Sequence, residues 1–123
     1  MTLSKNEFES LEAYTITYMI NNGYAEHEIN EESICKTIPK AFANLPVEEQ
    51  LEYVLLSDET LDLMQGKNVD TDTLKFLYAN GLTTLPQIYE QRKRVENKRA
   101  RQERQARKKV KELMEKYPPA HID

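Results

Sequence analysis

Between Pro86 and Pro118 the chain contains neither glycine nor proline. Nothing in that stretch forces a break in a helical hydrogen-bond ladder. Thr84 and Gln87 match a capping box, and Pro86 falls in the first turn, where its missing donor costs little. The pattern predicts one helix over residues 85–117, about 50 Å long at ~1.5 Å per residue. Three pairs, Glu90–Arg94, Glu103–Arg107 and Glu112–Lys116, have the favourable i,i+4 order. Each contributes only about 0.2–0.5 kcal/mol. A helix this polar therefore needs packing against the rest of the chain or against a partner.

The preceding residues are punctuated far more often. Ser4 and Glu7 read as a capping box, followed by Phe8, Leu11, Thr15 and Tyr18 at helical spacing and a stop at Asn21-Asn22-Gly23. Residues 14–20 also alternate in the manner of a strand, but no partner strand follows, so the spacing favours helix. Asn30 caps a segment carrying Ile34, Cys35 and Ile38 that Pro39 should interrupt. Pro46 opens another, with Val47, Leu51, Val54 and Leu55 as its inward stripe. Asp58 begins a short helix with Leu61 and Met64, ended by Gly66, and a further one runs from about Thr71 through Leu74, Leu77 and Tyr78 to Asn80-Gly81. The expectation is an all-α fold: a compact bundle of four to five short helices followed by a long basic C-terminal helix. The organisation expected is an acidic body over 1–84, a basic amphipathic helix over 85–117 packed partly on it, and a tail over 118–123.

The formal charge of −4 over 123 residues conceals a strong asymmetry. Residues 1–91 carry five lysines against sixteen acids, a balance of −11, and residues 92–116 carry twelve Lys/Arg against four Glu, a balance of +8. Projected at 100° per residue, Lys93, Arg94, Lys98, Arg101, Arg104, Lys108 and Lys111 share one broad face. An imperfect stripe of Ile88, Val95, Gln102, Ala106, Val110, Leu113 and Tyr117 lies opposite, interrupted by Arg92 and Arg99. That makes a poor coiled-coil seam. Its C-terminal part, Val110, Leu113, Met114 and Tyr117, forms the better protein-contact patch.

Phosphates attract such a cationic face without any sequence readout. Residues 91–109 are similar in composition to arginine-rich helices that bind structured RNA, a resemblance that covers about a sixth of the chain. It implies nucleic-acid contacts through Arg94, Lys98, Arg101, Arg104, Arg107 and Lys108. Three uses of the arm stay open: contact with nucleic acid or a nucleoprotein complex, docking on an acidic protein surface, and pairing with the chain's own body or a second copy. Residues 74–88 also have the outline of a helix–turn–helix, with few base-reading side chains at the start of its second helix.

Catalysis is not expected. Cys35 has no metal-ligand companion at a useful spacing and reads as a small buried residue. The three glycines are scattered, which excludes a phosphate-cradling loop. Asp70-Thr71-Asp72 lacks the remainder of a calcium loop and reads as a helix cap. No cofactor or metal is expected, and no stretch is apolar enough for a membrane span. The chain reads as a small cytoplasmic regulatory protein that binds a protein through its acidic body and nucleic acid through its arm. The alternatives are a protein-only adaptor or inhibitor, similar in style to accessory proteins of phages and mobile elements, and a self-associating assembly protein or homodimer.

Overall fold

A computed structural model describes residues 1–117. The expected tail, 118–123, lies outside the described residues. The fold is all-α: α1 spans Lys5–Asn21, α2 Glu31–Asn44, α3 Val47–Leu56, α4 Asp58–Met64, α5 Thr71–Ala79 and α6 Leu85–Lys116, with a 3-10 turn at Glu26–Glu28. Residues 14–20, ambiguous by pattern, are helical.

The helix starts follow the capping chemistry. Ser4, Asn30, Asp70 and Thr84 each accept from the backbone N–H three residues on. Both Asn30 with Ser33 and Thr84 with Gln87 close reciprocal boxes. α2 differs from expectation by running through Pro39 to Asn44. The proline withholds a hydrogen bond from the carbonyl of Cys35, but both residues face solvent, where water can replace it. Cys35 is accordingly exposed rather than buried.

α1 packs on α2, and α3 packs on α4 and α6. One apolar cluster joins Leu11, Leu45 and Tyr53. The other joins Val54 and Leu55 of α3, Leu77 of α5, Leu82, and Ile88 and Val95 of α6. Val47, expected in the inward stripe of α3, is exposed, and the stripe includes Tyr53 instead. Tyr53 lies edge-on to Phe42 and shares a 3.0 Å hydrogen bond with Ser10. At the α3–α4 junction the buried hydroxyls of Ser57 and Thr60 both donate to the Val54 carbonyl, at 2.6 Å each. A buried polar group is tolerated when paired in this way.

The N-terminal residues are clamped to α4. The Thr2 N–H donates to both carboxylate oxygens of Glu59 at 2.9 Å, and Asp58 N–H donates to the Thr2 carbonyl at 2.8 Å. Partial burial alone would raise the Glu59 pKa, but the Thr2 bonds and the nearby terminal ammonium outweigh it and hold the carboxyl below its ordinary value. A lowered carboxylate pKa supplies stability that is complete above the unfolded value and lost as pH falls through the folded one. Urea midpoints measured from about pH 6 down to about pH 3 will therefore fall more steeply for the wild type than for Glu59→Gln.

Candidate nucleic-acid interface

α6 is an unbroken helix with two different halves. Its first half is held to the body by Ile88 and Val95, which are buried, and by cations that the sequence reading treated as flaws in the apolar stripe. Arg92 Nη1 donates to the carbonyls of Leu55 and Ser57 at 2.8 and 3.1 Å, and its Nε donates to Glu96 at 2.9 Å. The Leu55 carbonyl lies in the last turn of α3, where acceptors are orphaned and the dipole favours a cation, whereas the Ser57 carbonyl also accepts from the Leu61 N–H that opens α4. Arg92 thus caps α3 from another helix.

Arg99 forms the second anchor. Its guanidinium lies 5.3 Å from the centre of the Tyr53 ring and within 3.6 and 3.7 Å of carboxylate oxygens of Glu7 and Glu52. Its Nε and the Glu7 Oε2 are buried without hydrogen-bond partners among the described residues. Charge attraction and stacking therefore hold the group, since its hydrogen bonding is incomplete. Arg99→Ala leaves two acids facing each other and will lower stability by about 1–3 kcal/mol, read from urea denaturation. Arg99→Lys will recover only part of this, because an ammonium keeps the charge but not the planar stack.

The second half has no such contacts: every residue from Ala100 to Tyr117 is exposed. Those 18 positions extend about 27 Å past Arg99 at ~1.5 Å per residue. Tyr117 is the C-cap rather than a member of the helix.

The expected nucleic-acid residues divide accordingly. Lys98 is turned onto the body, in an ion pair with Glu52. Arg94 lies on the exposed side of the docked half and pairs with Glu90 at 2.7 Å, and Arg107 pairs with Glu103. Arg101, Arg104 and Lys108 are exposed and make no ion pair among the described residues. The expected pair Glu112–Lys116 is not formed, and Lys116 instead lies 5.5 Å from the Tyr117 ring centre. At 100° per residue Arg101, Arg104 and Lys108 stand on the side of α6 opposite the one that docks.

The expected protein-contact residues Val110, Leu113, Met114 and Tyr117 all lie on the projecting half, with 54%, 49%, 56% and 66% of their surface exposed. They continue the line of Ile88 and Val95 beyond the edge of the body. The helix–turn–helix outline is present as α5, a turn with Gly81 at φ +82°, and α6. The start of α6 uses Ile88 and Arg92 for packing, however, which leaves few side chains there for base reading.

Among the described residues no group of three or more His, Cys, Asp or Glu is placed to hold a metal ion, and no helix is long and apolar enough to cross a membrane. The fold and this site define an all-α chain whose last helix is half docked and half projecting, with a cationic face on the projecting half. Comparison with protein-family models, curated proteins and solved structures finds no match to this chain.

Proposed function

We propose that this chain is a small non-enzymatic regulatory binding protein whose projecting helix contacts the phosphate backbone of a nucleic acid, alone or within a nucleoprotein complex, while its acidic body contacts protein. One observation carries the reading: Arg101, Arg104 and Lys108 stand together, exposed and without ion-pair partners among the described residues, on a helix segment held clear of the acidic body. Distance matters here, because a body of charge −11 over residues 1–91 would repel phosphates brought against it. A helix of about 10–12 Å diameter also suits the major groove of a duplex.

The test is a binding titration of the full chain with a DNA duplex and with an RNA hairpin, repeated across salt concentrations. Binding that weakens linearly on a log–log plot supports the reading, with a slope of about −0.9 per phosphate contact on DNA. Absence of binding to both probes at low salt sinks it.

The exposed apolar end of the arm favours a second reading, a protein-only adaptor or inhibitor docking through Val110, Leu113, Met114 and Tyr117. A partner retained after nuclease treatment but lost from Leu113→Asp would support that reading over the first.

A further inference from the structure

A groove of about 470 Å³ opens on the body between the N-terminal segment, α1, α2 and α5. Phe8, Ile38, Phe42 and Phe76 supply apolar walls, and Asp70 and Asp72 lie at its edge. Asp70 is occupied in capping α5 through Thr73, yet keeps its charge, since those hydrogen bonds hold its carboxyl below the ordinary value. Asp72 has no ion-pair partner among the described residues. The site is therefore apolar with an anionic margin.

The end of α6 has the opposite character. Val110, Leu113, Met114 and Tyr117 form an exposed apolar patch, flanked on one side by Arg107, whose charge is offset by its pair with Glu103, and on the other by Lys109 and Lys116, which make no ion pair among the described residues. An apolar patch with cationic borders is chemically matched to an apolar groove with an anionic border. The chain's own arm cannot supply this match, because α6 is unbroken and no residue beyond Arg99 is covered by the body.

We infer that the arm tip of one molecule docks in the acid-edged groove of a second copy. The contact joins two different patches. Two molecules that exchange tips reciprocally close a twofold dimer, whereas one-way docking would propagate an open chain. The contact uses the face of α6 opposite Arg101, Arg104 and Lys108, so it leaves the proposed phosphate-binding face free and goes beyond that reading. In the closed dimer the two basic faces would belong to one particle.

The test is sedimentation equilibrium of the full chain, freed of nucleic acid, up to about 1 mM protein, where even a contact with a millimolar dissociation constant is half formed. The mass is expected to rise with concentration from monomer to dimer, and the association constant to fall as salt increases. Leu113→Asp on the tip, and separately Phe8→Asp or Asp72→Lys at the groove, should each weaken self-association at least tenfold. Leu113, Phe8 and Asp72 are all exposed, so circular dichroism should show the helical fold intact. The decisive sample mixes Leu113→Asp with Phe8→Asp: each variant alone associates at least tenfold more weakly than the wild type, but together they retain one intact tip and one intact groove and form a heterodimer at concentrations where neither dimerises by itself. A wild type that stays monomeric overturns the inference. So does association lost in Leu113→Asp but unchanged in both groove variants, because the arms would then be pairing with each other. A mixture that does not associate overturns it as well. None of these outcomes depends on whether the arm binds nucleic acid.

Discussion

Ile88→Ala will destabilise the chain by about 3 kcal/mol, and Val110→Ala, on the same face of the same helix, will change its stability by less than about 0.5 kcal/mol. Ile88 is only 2% exposed and belongs to the cluster of Val54, Leu55, Leu77, Leu82 and Val95. Truncating it removes the transfer energy of three carbons and leaves a void between α6 and α3 that close-packed neighbours can only partly fill. Total stabilities are about 5–15 kcal/mol, so this one change removes a large share of the whole. For a chain of this length the thermal midpoint should fall by about 10–15 °C. Within one chain Val110 is on a helix with nothing against it, so at concentrations where the chain is monomeric it has no packing to lose. Calorimetry on both variants checks the division of α6 into a docked and a projecting half. Equal losses at the two positions would mean that the arm also lies against the body in solution.

Neutralising Arg101 and Arg104 together should weaken nucleic-acid binding about ten- to a hundredfold at low salt and make the log–log salt slope shallower by about 2. The slope is the more telling quantity. Each cation engaged with a phosphate releases about one condensed counterion, so removing two contacts removes their share of the salt dependence whatever the probe's sequence. Changing Lys98 to Gln provides the comparison. Its ammonium is engaged by Glu52, and its loss should leave the slope unchanged. Stability should not move in the Arg101/Arg104 variant, since neither side chain touches the body. Equal loss of affinity in the Lys98 variant would place the binding surface along the docked half of α6. An unchanged slope in the double variant would remove the projecting face from consideration.

The elements of this fold are legible because their signals are local. Ser4, Asn30, Asp70 and Thr84 mark helix starts through hydrogen bonds that span three residues, and Gly66 and Gly81 follow helix ends at φ +79° and +82°, where side chains with a Cβ are strained. The docking of α6 is not local. Arg92 meets carbonyls 35 and 37 positions earlier, and Lys98 meets an acid 46 positions earlier. A helical projection sees Arg92 and Arg99 only as interruptions of an apolar stripe, and Lys98 only as one more member of the cationic face. Their role depends on the end of α3 and the Glu7–Glu52 pair arriving beneath them, which no periodicity encodes. The same limit explains Cys35, whose apolar neighbours in sequence suggest a core position although its own side of α2 faces water.

Of the proposed binding residues, spacing alone places Arg101, Arg104 and Lys108 on one face. It could not separate them from Lys98, because the distinction lies in where the body stops supporting the helix.

That stopping point turns α6 into a lever. The docked half is gripped by Ile88, Arg92, Val95 and Arg99, and the remaining stretch is a single unhinged rod. A tilt of about 10° in the grip displaces the far end by about 5 Å over the ~27 Å beyond Arg99. A ligand that disturbs the Glu7–Arg99–Glu52 contact would therefore be felt most strongly at Tyr117, the point farthest from it along the helix.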